Sequence, residues 1–279
     1  MASKIPAMNS IAFLRFMENP DSNARIEEEY KSIMTQQKEE VETKYCVSFL
    51  QFLCLNPRLE NNSVISRASF MDGYDHKRKF LCTKHPLKEE CENFWQAAWD
   101  NQVELIIMMD QLSDKKYQYW SPKEKKHLVC GKFKIKTRKI IVHQSYILTV
   151  LRLTETALKP KQRHLICHYQ YTAWPKGGLP ECNKFLEFYL CVENMYLQLI
   201  NKTPHKKFAP ILIHCFNALG RSQVYCAVDI SIKQLVMTKM ISLSHVLENM
   251  EEQKCGSINS LDLYVLCYKI MKTYIRQYL

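Results

Sequence analysis

Pro210-Ile211-Leu212-Ile213-His214-Cys215-Phe216-Asn217-Ala218-Leu219-Gly220-Arg221-Ser222 puts a cysteine and an arginine at the two ends of one short loop. The apolar run before Cys215 reads as a buried strand, and Val224, Ala227, Val228 and Ile232 recur at helical spacing beyond Arg221. The stretch is therefore a strand, a tight loop and a helix start. In that geometry successive backbone N–H groups point inward and the helix dipole adds positive potential, so a dianion would sit over the sulfur. Arg221 would clamp two phosphate oxygens with its planar fork. The same field favours thiolate over thiol, which makes Cys215 a candidate nucleophile at neutral pH.

The Cys-to-Arg spacing alone is weak, because the chain holds 12 cysteines. A buried core cysteine at a strand end is the plain alternative. The strand, His214, Gly220, Arg221 and Ser222 taken together favour the phosphate loop.

At these residues the chain resembles the classical non-receptor protein-tyrosine phosphatases, whose signature is His-Cys, five residues, Arg, then Ser or Thr. Other segments agree in order and spacing: Ala68-Ser69-Phe70-Met71-Asp72-Gly73-Tyr74, Thr83-Lys84-His85-Pro86-Leu87, Phe94-Trp95, Gln118-Tyr119-Trp120 and Tyr169-Gln170-Tyr171-Thr172-Ala173-Trp174-Pro175. The last resembles the strand entering the family's mobile acid loop. The motifs cover roughly residue 40 to the C-terminus. The long N-terminal lead and the degenerate motifs most resemble the phosphatase-like proteins carried by bracoviruses of parasitoid wasps. That resemblance implies action in the cytoplasm of insect host cells, on signalling or adhesion of immune cells.

A cysteine phosphatase needs a nucleophile, an anion clamp and an acid that protonates the departing tyrosine oxygen. Cys215 and Arg221 supply the first two. The family's acid is an aspartate directly after Trp-Pro, and Lys176 stands there, followed by Gly177 and Gly178. A lysine of ordinary pKa near ~10.4 holds its proton too firmly to hand it over at neutral pH. General-acid assistance typically contributes ~10²–10⁴-fold, so turnover is expected to fall by that order. An ammonium there would instead strengthen anion binding, and a solvated loop tip without a role is the other reading of Lys176.

The resemblance assigns further positions. His214 would orient the cradle and Ser222 would donate to the sulfur as it leaves; a satisfied core histidine and a helix cap are the plainer readings. Phe216, Asn217, Ala218, Leu219 and Gly220 would line the phosphate. Ala218 stands where the family has glycine, which strains or reshapes the loop if that site needs a positive φ. In the substrate-recognition loop, Thr43-Lys44-Tyr45-Cys46-Val47, Tyr45 would keep the stacking position, but Val47 cannot replace the family's aspartate. The two water-positioning glutamines become Asn259 and Leu263, one shorter and one unable to hydrogen-bond. Trp174 reads as a loop hinge packed on the core rather than a ligand contact.

At 279 residues, 47% of them hydrophobic, the chain is long enough for one large core in a single phosphatase-like domain over residues 43–279. No apolar run approaches the ~18 residues of a membrane span. The start Met-Ala-Ser-Lys lacks a secretory core, and neither Ala2 nor the C-terminus fits a lipidation signal. A soluble, cytoplasmic protein is expected. Scattered cysteines without C-x-x-C pairs or zinc-site spacing agree with a reducing home and with no metal or cofactor.

Thirty-nine basic against 28 acidic residues leave a net charge of +11, which pulls toward acidic partners. In the densest basic stretch Lys132, Lys134 and Lys136 alternate with Phe133 and Ile135. That is strand spacing, and a solvated sheet face outweighs a dedicated nucleic-acid surface because no aromatic platform accompanies it.

Residues 1–42 form a helical lead packed on the main body: Ile11 to Met17, a break at Asn19-Pro20, then Ala24 to Val41 with Ile26, Tyr30, Ile33 and Met34 as its apolar stripe. Strands are expected at Phe80-Thr83, Glu104-Met109, Lys132-Ile135, Ser145-Leu153, Arg163-Tyr171 and Pro210-His214, with helices over Asn183-Ile200 and three more to Leu279. The fold class is α/β, a mixed, twisted central sheet with helices on both faces. Gly177, Gly178 and Gly220, among only 6 glycines, are expected to need unusual backbone angles or close ligand approach. Three functions fit: a module that binds phosphotyrosine proteins without processing them, a slow but active tyrosine phosphatase, and a basic nucleic-acid or membrane-surface binder.

Overall fold

The computed structural model describes residues 4–37, 68–112, 117–157, 162–202, 209–216, 219–254 and 256–279. Four apolar runs lie side by side in its centre: β2 (Phe80–Lys84), β8 (Ile211–Cys215), β3 (Leu105–Met108) and β7 (Arg163–Tyr171), all parallel to one another. Every residue of β3 and β8 is buried. Continuous burial is what parallel strands covered on both faces require. Antiparallel strands flank them: β1 (Ser69–Met71) beside β2, then β6 (Tyr146–Glu155), β5 (Phe133–Val142) and β4 (His127–Cys130) beyond β7. The order across the eight described strands is β1-β2-β8-β3-β7-β6-β5-β4.

One face of the sheet packs against a helical layer of α4 (Cys182–Lys202), α5 (Arg221–Thr238), α6 (Leu243–Gln253) and α7 (Leu261–Tyr278). The other is covered by α3 (Cys91–Asp100), with Phe94 and Trp95 fully buried against Ile106, Met108, Leu151 and Leu212. The sheet is mixed and helices lie on both faces, as the sequence predicts.

The N-terminal segment docks on α7. Helix α1 (Ser10–Glu18) starts where the Asn9 side chain accepts from the Ala12 amide and ends ahead of Pro20; α2 runs from 22 to 37 among the described residues. Ile26 and Ile33 are buried, and Tyr30 and Met34 pack on the same core. Glu29, 1% exposed, accepts hydrogen bonds from Tyr264 Oη (2.6 Å), Tyr268 Oη (2.7 Å) and the Ile5 amide (2.6 Å). A buried carboxylate is tolerable because three donors replace its water. The same logic holds between β2 and α5, where the buried Lys79 ammonium lies 2.8 Å from the buried Asp229 carboxylate.

Four elements depart from expectation. The predicted strand at Lys132-Ile135 is only the start of β5, whose register shifts between Thr137 and Lys139. That bulge breaks the two-residue alternation and hides the strand's second half from pattern reading. The short strands β1 and β4 carry no strong period of their own, whereas α3 does, with Cys91, Phe94, Trp95 and Ala98 buried at i, i+3, i+4 and i+7, and the sequence reading passed over it. Cys91, the first residue of α3, is joined to Cys130, the last of β4, at a Cα separation of 5.9 Å. Nothing in the cysteine spacing points to that disulfide.

Candidate active site

Parallel strands in an open sheet leave a crevice beyond their carboxyl ends, and ligands bind there. Cys215 closes β8 at that edge, next to Lys84 at the end of β2, and β3 ends beside His214 at Met108, two residues before Asp110. A cleft of about 840 Å³ opens over it. Of the residues expected from sequence, Cys215, Phe216, Leu219, Gly220, Arg221, Trp174, Lys176 and Asn259 line this cleft. His214 and Ser222 sit behind it, fully buried. Tyr45, Asn217 and Ala218 lie outside the described residues.

Cys215 is 1% exposed; its thiol donates to the Leu219 carbonyl at 3.1 Å, and Ser222 Oγ lies 3.2 Å from the sulfur. Ser222 is the second residue of α5, and the helix is preceded by Gly220 as N-cap, so the serine is not the cap. The Leu219–Gly220 peptide is turned with its carbonyl toward the sulfur and its N–H away, donating to the Ser257 carbonyl at 3.0 Å. The expectation that loop amides all point inward therefore fails at this peptide. Gly220 has φ +70°, and a Cβ there would lie 3.1 Å from Leu263 Cδ1 and 3.3 Å from Asn259 Oδ1. The unusual backbone angle expected of this glycine is present. Gly178 also has a positive φ (89°), whereas Gly177 does not.

Arg221 is already engaged. Its Nη1 donates to Asp110 Oδ1 at 3.0 Å and Nη2 to the Pro175 carbonyl at 3.1 Å, with the guanidinium 5.2 Å from the centre of the Trp174 ring. Trp174 is 1% exposed and its indole N–H donates to the Gly178 carbonyl at 3.2 Å, which ties the loop after β7 to the core. It is thus packed on the core, as expected, and also forms a wall of the cleft. Lys176 is exposed on that loop, and Phe216 stands 69% exposed at the rim.

Behind the nucleophile, Tyr119 Oη lies 2.7 Å from both His214 Nε2 and His168 Nε2. One hydroxyl has one proton, so it donates to one imidazole and accepts from the other. Burial drives the His168 pKa down to about 3, which keeps that ring neutral at physiological pH. His85 packs edge-on against Tyr119 and at a tilt against His214.

Sequence reasoning missed Asp110 and Asp262, both in the cleft wall, and the Tyr119–His168 pair. Asp110 had a signal: it follows the buried run of β3, which a parallel sheet places beside the end of β8. Among the described residues no group of three metal-ligating side chains converges, and no helix is long and apolar enough to cross a membrane.

A cysteine and an arginine at the ends of a strand-loop-helix, opening at the carboxyl edge of a mixed sheet, define the class. The protein-tyrosine phosphatase family matches residues 24–273, and the chain belongs to it. The match begins inside α2, earlier than residue 40, where the quoted motifs begin. Three curated relatives come from Microplitis demolitor bracovirus (isolate Webb): Tyrosine phosphatase H2 is 29% identical over 98% of this chain and 90% of its own length. Probable tyrosine phosphatase protein N1 is 32% identical over 71% and 64%, and tyrosine phosphatase-like protein J1 is 32% identical over 72% and 69%.

Proposed function

We propose that the protein holds phosphotyrosine-bearing proteins at the Cys215–Arg221 loop and releases phosphate from them slowly or not at all. The substrate class comes from the family. The observation that carries the reading is Lys176 on the cleft wall, at the position after Trp174-Pro175 that the family reserves for its acid. Its ammonium offers a dianion a second positive charge and offers a departing phenolate no readily transferred proton. Asn259 and Leu263 line the same cleft and supply one short amide where two glutamines would guide water. The orientation of the Leu219–Gly220 peptide supports the same conclusion, since a carbonyl faces the sulfur that would have to attack. Action in the cytoplasm of infected insect cells, on host signalling proteins, follows from the likeness to the bracovirus proteins.

A slow phosphatase is the second reading, favoured by Ser222 Oγ at 3.2 Å from the sulfur, within reach of a leaving thiolate. The names of the bracovirus relatives include both phosphatases and phosphatase-like proteins. One titration separates the two. With a phosphotyrosine peptide followed by calorimetry, binding retained in Cys215→Ser and lost in Arg221→Ala, with no phosphate released by wild type, is the expected result. Phosphate release that disappears in Cys215→Ser establishes the second reading instead, and no peptide binding at all overturns the first.

A further inference from the structure

The cations that give the chain its surplus charge are not evenly spread. On the helical-layer side of the sheet two neighbouring cross-strand rows carry cations, of which Arg163 is exposed and Lys134, Lys136 and Arg152 are half-buried among the described residues. Lys136 on β5 lies directly opposite Arg152 on β6, which lies opposite Leu165 on β7. In the next row Val129 on β4 lies opposite Lys134, and Thr154 opposite Arg163. No carboxylate occurs in either row, and among the described residues none of these four cations has an ion-pair partner. Like charges placed directly opposite destabilise a sheet, and Lys136 with Arg152 is such a pair. The opposite face of the same strands is well-packed core, with Phe133, Ile135, Leu151 and Leu153 buried.

Among the cations stand two large aliphatic side chains, Val129 at 56% and Leu165 at 62% exposure. Four strands at about 4.8 Å spacing make a nearly flat patch roughly 15 Å across. A flat array of cations with apolar side chains between them suits a surface that offers both anionic headgroups and acyl chains, and combined signals of this kind are what peripheral membrane binding requires. A nucleic acid would be read by an element that enters a groove or by aromatic stacking, and this face presents neither. We propose that the exposed face of β4–β7 docks the protein on an anionic lipid bilayer. The patch lies at the start of β7 and the catalytic cleft beyond its end, about 20 Å away at ~3.3 Å per residue, so docking leaves the cleft open.

The test is co-sedimentation of the full chain with vesicles of phosphatidylcholine alone or containing one-third phosphatidylserine. Binding is expected only to the acidic vesicles, falling steeply with salt. Lys136→Gln/Arg152→Gln should weaken it by about tenfold or more. Leu165→Ser should weaken it even where salt has already screened the charges. Thermal melting of each variant checks that the sheet is intact, and phosphotyrosine-peptide binding at the cleft should be unchanged, which separates this surface from the active-site reading. Equal sedimentation with neutral vesicles, unaltered binding by the double variant, or tighter binding to duplex DNA than to acidic vesicles at the same salt overturns the proposal.

Discussion

Asp110 Oδ1 and Arg221 Nη1 are 3.0 Å apart, so the arginine best placed to receive a phosphate is already paired with a carboxylate from the segment that follows β3. An incoming dianion has to share that guanidinium and tolerate a like charge beside it. Removing the charge while keeping the acceptor oxygen should leave Arg221 in its posture and lift the repulsion. Asp110→Asn is therefore expected to bind vanadate about tenfold more tightly, measured by competition against a phosphotyrosine peptide. Weaker binding would show that the carboxylate serves mainly to position the arginine.

The Leu219–Gly220 peptide directs a carbonyl at the Cys215 sulfur. For the loop to cradle an anion this peptide must turn over, and glycine is the residue that permits such a change. Gly220→Ala adds a Cβ 3.1 Å from Leu263 Cδ1 at a residue whose φ is +70°. The variant should lose about 1–2 kcal/mol of stability from backbone strain alone. Tungstate affinity should fall as well, which isothermal titration will read; unchanged affinity and stability would mean that neither the angle at Gly220 nor the space beside it constrains the loop.

Lys176→Asp returns a carboxylate to the loop after Trp174-Pro175. If the rest of the site is competent, hydrolysis of phenyl phosphate, whose leaving group needs a proton, should rise by about 10²-fold. Hydrolysis of a dinitrophenyl phosphate, whose leaving group does not, should rise far less. No gain on either substrate would place the defect in Asn259, Leu263 and the loop itself.

His168 supplies a pH dependence. Burial lowers its pKa from 6.5 to about 3, with the neighbouring His85 adding to the effect. Between those values the unfolded chain binds a proton that the folded chain refuses, so stability is full above about pH 6.5 and is lost as pH falls toward 3. The slope from this one group is about 1.4 kcal/mol per pH unit. Melting temperatures of wild type and His168→Gln, taken from pH 7 to 4, should converge as the pH drops. Parallel curves would show that the imidazole charges readily in place.

Much of the architecture was legible because burial writes itself into residue type. The runs at Phe80, Leu105 and Ile211 are continuous and apolar, which is the mark of parallel strands covered on both faces, and the stripe Ile26, Tyr30, Ile33 and Met34 marks the inner side of α2. The cleft-lining set around Cys215 was legible because one loop carries it in contiguous sequence. What stayed hidden depends on registers between distant segments. Asp110 meets Arg221 only because β3 pairs with β8, and Tyr119 bridges two histidines 46 positions apart, His168 and His214, that sit on strands separated by β3. The orientation of one peptide at Leu219 depends on Ser257 some forty positions on, and no local pattern encodes it.

The outermost described strands, β1 and β4, are three and four residues long. A sheet this wide would ordinarily offer long rows of unpaired amides at its rims, ready to template another chain. The outermost strands themselves thus leave little backbone to recruit a stray strand, and among the described residues the open rim that remains beside β4 is the end of β5 that runs past it to Val142.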